Sequence, residues 1–233
     1  MKGTRLSNLG SHAVVLALLV TATLAAWSQR RFPDVIVTKT VPIYGLTLAQ
    51  RCNIQQAAQR LNGTIIAPDE QFSFNQAVGP RTPERGYLPA PSYVGSRTES
   101  TTGGGICVLS SIVYQLALES GLRIDRRTPH LRTTRTIYPG LDATVWYGRA
   151  DLAFTNTTNC PLEIRTTTDG TTVRLELAGR RACVPVCAVQ RRQAHANKDV
   201  ICVDITRTIG PLQELVSHDT YRISQHTPPS LED

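Results

Sequence analysis

The sequence is poor in charged residues, and its charges are not grouped. Asp, Glu, Lys and Arg make up 18% of the 233 residues, whereas hydrophobic residues make up 41%. This balance argues against an intrinsically disordered chain. No internal repeat is visible, and no Lys/Arg stripe alternates with aromatic residues, which are only 6%. No nucleic-acid partner is therefore expected, and the net charge of +7 suits anionic surroundings such as an envelope polymer.

The N-terminus has the composition of an export signal. Lys2 and Arg5 precede an apolar run over residues 13–27 that is rich in Val, Leu and Ala. As a helix this run would be roughly 22 Å long, whereas the core of a bilayer is about 30 Å thick. The segment is either a cleaved signal peptide, with a cleavage region at residues 26–28, or an uncleaved membrane anchor. Both interpretations place residues 31–233 outside the cytoplasm, facing the cell wall.

The sequence has cysteines but lacks a C-x-x-C pair. The six cysteines are Cys52, Cys107, Cys160, Cys183, Cys187 and Cys202. The last three lie near His195, but their order and spacing match no common zinc site, so neither a metal nor another cofactor is expected. Outside the cytoplasm disulfides are permitted. We therefore expect a disulfide between two of these three late cysteines, with the third left over.

The first half of the chain predicts one helix, one short strand and a long loop. Thr47-x-x-Gln50 is a capping box, and apolar residues follow at helical spacing until the Asn-Gly stop at residues 62–63. Residues 71–75 alternate around two phenylalanines, as a strand does. Residues 79–95 are rich in Pro and Gly, and we expect them to form an ordered loop or series of turns.

The strongest helical pattern follows the three glycines at residues 103–105. Apolar side chains recur with the period of a helix over residues 109–116. Cys107 lies two residues before this stripe begins, about 200° round the helix from its first member. The thiol is thus predicted to point away from the core stripe, toward the side that carries Ser111 and Tyr114.

The second half of the chain predicts mostly strands. Residues 144–147, 152–155 and 162–166 have the composition of strands, and Asp169-Gly170 between two Thr-rich runs predicts a hairpin. From residue 179 onward Arg, Gln, His and the three late cysteines dominate. That part is expected to be a tail or small appendage that carries the late disulfide.

These elements together predict an α+β fold. The chain is long enough for one domain plus a small appendage. The expected organisation is an N-terminal segment over residues 1–30, a single globular domain over residues 31–178 and a short Cys-containing tail over residues 179–233. The globular domain is expected to have two main helices and a β-rich C-terminal half.

Cys107 is the residue with the most chemical meaning. A thiol in the first turn of a helix lies near unpaired N–H groups and the positive end of the helix dipole, and both favour the nucleophilic thiolate. The glycines before it allow close approach of a substrate backbone and leave N–H groups available for an oxyanion. Such chemistry needs a base, for which His130 is the first candidate. Asp142 and Asp151 are candidates for the carboxylate that orients the base.

Several motifs, in the same order along the chain, resemble those of the VanW family. They are Gln71-Phe72-Ser73-Phe74-Asn75, Val78-Gly79-Pro80-Arg81-Thr82, Gly86-Tyr87, Gly103-Gly104-Gly105-Ile106-Cys107 with Ser110-Ser111, Pro129-His130, Pro139-Gly140-Leu141-Asp142-Ala143-Thr144, and Asp151-Leu152 through Phe154 to Asn156. The resemblance spans residues 35–177. It implies an exported bacterial protein that works near the cell wall.

The resemblance also implies a reaction and a set of site residues. Some domains that resemble VanW act as L,D-transpeptidases, so Cys107 is expected to attack a carbonyl of a peptidoglycan stem peptide and form a thioester. His130 and Asp142 match the histidine and aspartate of the family, and we expect them to act as base and orienter. Peptidoglycan is the expected partner. As an uncleaved anchor, the N-terminal segment would also attach the protein to the membrane. The substrate-binding candidates in the matching motifs are Arg81, Tyr87, Gly104, Gly105, Ser110 and Ser111.

Two positions depart from the family pattern and leave other functions open. Val108 stands where the family usually has Gln after the cysteine, and Thr128 stands where it usually has a second His. If either missing group positions the acyl oxygen or the base, a noncatalytic peptidoglycan-binding or envelope scaffold protein is the alternative. Hydrolysis is a third hypothesis, because water in place of an acceptor amine would use the same residues and the same acylation step.

Overall fold

The computed structural model describes residues 31–94 and 97–224, together with Val14. Apart from Val14, the predicted export segment lies outside the described residues. In the part of the chain that is described, no helix has the length and apolar character needed to cross a membrane. The predicted α+β class is confirmed, since the helices are combined with several antiparallel sheets.

Residues 31–94 and 97–224 form three α-helices and twelve β-strands. The helices are α1 (Leu48–Leu61), α2 (Phe74–Val78) and α3 (Cys107–Glu119). The strands are β1 (Asp34–Pro42), β2 (Thr64–Ile66), β3 (Gln71–Ser73), β4 (Pro89–Val94), β5 (Arg97–Thr102), β6 (Arg123–Arg126), β7 (Ala153–Thr155), β8 (Leu162–Thr168), β9 (Thr172–Gly179), β10 (Cys187–Asn197), β11 (Val200–Ile209) and β12 (Leu212–Arg222). Helices α1 and α3 are the two main helices that the sequence predicts, and β3, β7 and β8 confirm three of the predicted strands.

Helix α1 begins as its capping box predicts. The hydroxyl of Thr47 accepts a hydrogen bond from the N–H of Gln50, and the side chain of Gln50 accepts one from the N–H of Thr47. Two N–H groups at the start of the helix are thereby satisfied. The helix ends at Leu61, and Gly63 then adopts a φ of +78°, a conformation that favours glycine.

A four-stranded antiparallel sheet forms one layer of the fold, in the order β1-β9-β8-β2. Strands β8 and β9 are the predicted hairpin. In its turn, the carboxylate of Asp169 accepts a hydrogen bond from the N–H of Thr171 at 2.8 Å, and Gly170 has a φ of +84°. Strand β1 pairs with β9 along its length, so the beginning and the end of the predicted domain lie side by side.

Helix α3 lies in the middle of the core. Ten of its thirteen residues are buried, and these include Ser111 and Tyr114. The prediction that this side faces away from the core is wrong, because β1, β6, β9 and β10 all pack around the helix. Cys107, at the N-terminal end of the helix, remains partly exposed.

Two predictions in the loop-rich parts are also wrong. Strands β4 and β5 form a two-stranded antiparallel ribbon in the region where we expected a loop. Pro89 and Pro91 are tolerated there because each strand of the ribbon has a free edge. Residues 144–147 lie outside every strand that the structure describes. Instead, Trp146 and Ala150 close a turn. The N–H of Trp146 donates to the carbonyl of Ala150 at 2.8 Å, and the N–H of Ala150 donates to the carbonyl of Trp146 at 2.9 Å.

The region beyond residue 179 contains a three-stranded antiparallel sheet, β10-β11-β12, which the sequence analysis did not anticipate. Ile201, Val203 and Ile205 alternate along β11 and belong to the same core cluster as α3. A Cβ atom on Gly140 would lie 2.7 Å from the side chain of Val203 and 2.9 Å from that of Ile205. This sheet therefore packs directly on the segment that carries Gly140.

Cys160 and Cys183 form a disulfide, with Cα atoms 6.0 Å apart. The expected bond among Cys183, Cys187 and Cys202 is therefore wrong. Cys160 lies just before β8 and Cys183 just after β9, so the hairpin pairing brings the two cysteines together. Cys202 is paired with Ala194, seven residues along β10 from Cys187, which is roughly 24 Å. That separation is too large for a disulfide.

Asn53 joins helix α1 to the glycine turn that precedes α3. Its buried amide donates to the carbonyls of Leu88 and Gly104 at 2.9 and 3.0 Å, and it accepts from the N–H of Leu88 at 2.8 Å. We expect Asn53→Ala to lower the free energy of unfolding by about 2–4 kcal/mol, because three hydrogen bonds to the backbone are lost and only the carbonyl of Leu88 keeps another donor, the N–H of Gly103. Urea unfolding followed by circular dichroism measures this change.

The matched control is Gln55→Ala on the same helix, since the side chain of Gln55 is exposed. We expect this change to alter the free energy of unfolding by no more than about 0.5 kcal/mol. An Asn53→Ala protein as stable as the unmodified chain would show that these hydrogen bonds do not hold the turn.

Candidate active site

Cys107 is the first residue of α3 and is presented by the turn of three glycines. Gly103 and Gly105 have φ angles of +86° and +97°, which L side chains rarely adopt. Gly104 has no room for a side chain, because a Cβ there would lie 2.3 Å from the carbonyl oxygen of Ala90. All three glycines are therefore needed for the backbone path that leads to Cys107.

Two backbone N–H groups beside the thiol have no acceptor among the described residues. The N–H groups of Gly104, Ile106 and Val108 donate to carbonyls of residues 101–105. The N–H groups of Gly105 and Cys107 make no such bond. Both lie at the N-terminal end of α3, where the helix dipole is positive. They are unpaired donors at the end of the helix that carries the thiol, as an oxyanion site requires.

His130 interacts with both Cys107 and Asp142. It lowers the pKa of the Cys107 thiol, whose own hydrogen bond is donated to the carbonyl of Val145 at 3.8 Å. The Nδ1 atom of His130 lies 2.6 Å from Oδ2 of Asp142, so Nδ1 carries the proton and Nε2 is left to act on the thiol. The sequence left Asp142 and Asp151 open as partners of the base. The carboxylate of Asp151 instead accepts from the hydroxyl of Ser73 at 2.6 Å.

Asp142 is 1% exposed, and hydrogen-bond donors surround its carboxylate. Oδ2 also accepts from the backbone N–H of His130 at 2.7 Å. Oδ1 accepts from the hydroxyl of Tyr221 at 2.6 Å and from Nη2 of Arg127 at 2.9 Å. A carboxylate out of water is unfavourable without such partners. These donors therefore keep Asp142 charged beside His130.

The residues that support Asp142 were not predicted from the sequence; they are Arg127, Asp219 and Tyr221. Arg127 forms an ion pair with Asp219 as well as with Asp142. Asp219 and Tyr221 are two residues apart on β12 and therefore share one face of the sheet. The alternation of Asp219 and Tyr221 along the sequence could have indicated that they share a face. It could not have indicated that the partner of Tyr221 is Arg127, 94 residues earlier in the chain.

Ser110 and Ser111 fasten the segment around Asp142 to the first turn of α3. The hydroxyl of Ser110 donates to the carbonyl of Ala143 at 2.6 Å, and the hydroxyl of Ser111 accepts from the N–H of Ala143 at 2.9 Å. Ser111 in turn donates to the carbonyl of Cys107 at 2.6 Å. The two serines thus set the position of the carboxylate relative to the thiol.

The hydrogen bonds determine the protonation of the three groups. Burial raises the pKa of the Cys107 thiol, but His130, the hydrogen bond to Val145 and the charge of Arg81 together outweigh burial, and the net shift is downward. Burial lowers the pKa of His130, whereas the bonds to Asp142 and Cys107 raise it to about 10. Burial raises the pKa of Asp142, whereas His130 and Arg127 lower it to about 2. The site therefore favours a thiolate, an imidazolium and a carboxylate.

A cleft of about 610 Å³ opens beside Cys107. Its exposed aromatic side chains are Tyr93, Trp146 and Tyr147. Among the described residues, the charged or chargeable groups of the lining besides the thiol and phenols are Arg81, His130 and Arg135, and no carboxylate is present. In the same part of the chain, no group of three His, Cys, Asp or Glu side chains is arranged to hold a metal ion. The cleft is therefore a cationic site.

The predicted substrate-binding residues divide into two groups. Those that line the cleft are Arg81, Gly105 and Ser111. Those outside the lining are Tyr87, Gly104 and Ser110. The second group is packed within the protein, so these residues support the site without facing a ligand.

The two departures from the family pattern lie in different surroundings. Val108 is 7% exposed and lines the cleft directly after Cys107. Thr128 has an exposed side chain, and its carbonyl accepts from the N–H of Thr144 at 2.8 Å. A substitution at Val108 therefore alters the cleft itself, whereas Thr128 holds the segment after Asp142 through its backbone.

Comparison with known proteins places the globular part in one family. The family model described as "VanW like protein" matches residues 49–178. The uncharacterized protein YoaR of Bacillus subtilis (strain 168) is 41% identical over 113 residues, which are 48% of this chain and 37% of that protein. The vancomycin B-type resistance protein VanW of Enterococcus faecalis (strain ATCC 700802 / V583) is 30% identical over 122 residues, 50% of this chain and 44% of that protein. The chain thus spans less than half the length of these curated relatives, and no solved structure matches it significantly.

The downward pKa shift of Cys107 predicts a thiol that is alkylated at lower pH than that of Cys187, whose pKa is raised. Iodoacetamide reacts with the thiolate, so the rate at Cys107 follows deprotonation of this group. Replacing His130 by Gln removes the imidazole that lowers the pKa of Cys107, and we expect the midpoint of the rate profile to move to higher pH. Quantitative peptide mapping across a pH series measures the rate at each cysteine.

Cys187 serves as the internal control, because burial raises the pKa of its thiol. We expect the midpoint of its rate profile to lie at higher pH than that of Cys107 in the unmodified chain, and to be unchanged in the His130→Gln protein. An unchanged midpoint at Cys107 in that variant would contradict the assignment of His130 as the group that lowers its pKa.

Arg127 is the cation that balances two buried carboxylates, and its side chain is 5% exposed. Replacing it by Met leaves Asp142 and Asp219 without a cation. We expect a loss of about 3–5 kcal/mol in the free energy of unfolding, as for other buried ion pairs that lose one partner. Arg126→Met is the control, since the neighbouring Arg126 is exposed. Equal stability of the two variants would rule out this role for Arg127, and thermal or urea unfolding gives the comparison.

Proposed function

Because this chain belongs to the family of VanW-like proteins, we propose that it acts in the cell envelope as a cysteine-dependent acyltransferase on peptidoglycan stem peptides. The carrying observation is the grouping of Cys107 with His130, which lowers the pKa of its thiol, and of His130 with Asp142, to which it is hydrogen-bonded. The relative named as a vancomycin B-type resistance protein supports an envelope role. The N-terminal export segment supports a location outside the cytoplasm, where peptidoglycan is the partner.

The first half of the proposed reaction makes a thioester. The thiolate of Cys107 attacks the carbonyl carbon of a stem-peptide bond, and a carbon–sulfur bond forms. The N–H groups of Gly105 and Cys107 donate to the oxyanion that develops on the carbonyl oxygen. His130 then gives its Nε2 proton to the amine of the leaving group as the carbon–nitrogen bond breaks. Asp142 holds the imidazole ring in the required tautomer and orientation.

The second half returns the thiolate. An acceptor amine from another stem peptide attacks the thioester, and neutral His130 takes the proton that this amine loses. The carbon–sulfur bond breaks, the new peptide bond is complete, and Cys107 is again a thiolate beside an imidazolium. Water in place of the amine gives a shortened stem by the same steps. The identity of the acceptor therefore separates transfer from hydrolysis.

We expect the full chain to gain mass when it is incubated with tetrapeptide muropeptides. The increase corresponds to an acyl group on Cys107, and it should disappear on addition of hydroxylamine, which cleaves thioesters. Intact-mass spectrometry detects the adduct, and analysis of the muropeptides distinguishes new dimers from shortened stems. New dimers indicate transfer, and shortened stems alone indicate hydrolysis.

Two alanine variants make this experiment specific. Cys107→Ala should form no adduct, whereas Cys187→Ala should form it as the unmodified chain does, because Cys187 lies on β10 away from the cleft. No adduct on any of the three proteins, with Cys107 free and the fold intact, would refute acyl transfer. Retention of both variants on cell-wall sacculi would then support the noncatalytic binding protein, and restoring Gln at Val108 and His at Thr128 would test where the chemistry was lost.

A further inference from the structure

Arg81 is a cation that lines the cleft and has only neutral hydrogen-bond partners. Its Nη1 donates to the carbonyl of Gly79 at 2.8 Å, and its Nη2 donates to the side-chain oxygen of Asn75 at 2.6 Å. No ion pair joins Arg81 to an Asp or Glu within residues 31–94 and 97–224. The cleft lining also lacks a carboxylate, and the anionic groups that act on Arg81 are the Cys107 thiolate in the cleft and Asp151 outside the lining.

The side chain of Arg81 is held in place. Gly103 leaves the space that it occupies, because a Cβ at this glycine would lie 2.8 Å from Cβ and Cγ of Arg81. The guanidinium carbon lies 5.9 Å from the ring centre of Phe74 and 5.7 Å from that of Tyr147. A cation held by two hydrogen bonds and two aromatic rings is preorganised for a ligand.

Arg81 and Cys107 are electrostatically coupled. Burial lowers the pKa of Arg81, and the charge of the Cys107 thiolate acts in the opposite direction. Arg81 in turn helps to lower the pKa of Cys107. When the thiolate becomes a thioester its charge disappears, and Arg81 loses the anion that faces it across the cleft. A ligand that brings its own negative charge would replace it.

We propose that Arg81 binds a carboxylate of the substrate beside the bond that Cys107 attacks, an inference that rests on the proposed acyl transfer. Two of the five N–H donors of Arg81 are used by Gly79 and Asn75. Three donors remain for a ligand, and a guanidinium is suited to a carboxylate because it can donate two N–H groups in one plane. A stem peptide carries such groups at its C-terminus and within the chain, and the experiment distinguishes the two sources.

The test uses the full chain with Cys107→Ala, so that binding is measured without reaction. Three tetrapeptide muropeptides are titrated into it by calorimetry: the unmodified peptide, its C-terminal carboxamide, and a form in which the internal carboxylates are amidated. We expect one amidated peptide to bind about 10- to 100-fold more weakly than the unmodified one, because a charge-assisted hydrogen bond is lost. The peptide that loses affinity identifies the carboxylate.

Adding Arg81→Gln to this protein should abolish the discrimination, so that the unmodified peptide binds as weakly as its amidated form. Arg126→Gln is the matched control, because it removes the same charge from an exposed arginine outside the lining. It should leave the discrimination intact, and circular dichroism verifies that each variant is folded. Equal affinities for all three peptides, discrimination that survives Arg81→Gln, or no binding at all would each overturn the proposal.

These titrations separate the inference from the function on which it rests. Acylation is measured on the chain that retains Cys107, and carboxylate recognition on the chain that lacks it. A thioester adduct together with equal peptide affinities would overturn only the role of Arg81. Discrimination that depends on Arg81 without any adduct would leave carboxylate recognition standing and remove acyl transfer.

Discussion

The carboxylate of Asp142 is buried, and its hydrogen bond with Nδ1 of His130 sets the orientation of the imidazole ring. A buried carboxylate without partners is unfavourable by several kcal/mol. Arg127 and the hydroxyl of Tyr221 offset that cost from one side, and His130 offsets it from the other. Tyr221 comes from β12, so the arrangement is complete only when the C-terminal sheet is packed on the domain. In that sense β12 is part of the site, although it contributes no lining residue to the cleft.

The residues of the site are positioned relative to one rigid element, the first turn of α3. The glycine turn brings Cys107 to that position, and Asn53 holds the turn from helix α1. Ser110 and Ser111 attach Ala143, the neighbour of Asp142, to the same turn of the helix. Because α3 is surrounded by packed strands, movement of the thiol relative to the carboxylate would disturb the core. A site that is supported in this way is preorganised for its chemistry.

Features that depend on residues close together in the sequence were predicted, whereas those that depend on distant segments were missed. The cap at Thr47 and the turn at Asp169 depend on residues within three positions, and both are confirmed. Cys107, His130 and Asp142 were named from motifs, and the structure brings them together. Interactions between distant segments gave no local signal, as for Arg127 with Tyr221. The disulfide likewise depends on which strands are neighbours, so spacing between cysteines suggested the wrong pair.

The effect of Cys107 on the pKa of His130 also matters for the second half of the proposed reaction. The pKa of His130 is raised to about 10 partly because the thiolate faces it. In the thioester that charge is gone, so the pKa of His130 falls from its value in the free enzyme. A base must be unprotonated to accept a proton from the acceptor amine. If the pKa stayed high, His130 would take a proton from solvent before the acceptor arrived. Acylation of Cys107 thus lowers the pKa of His130. His130 donates a proton in the first step, and the lower pKa lets it act as the base in the second step.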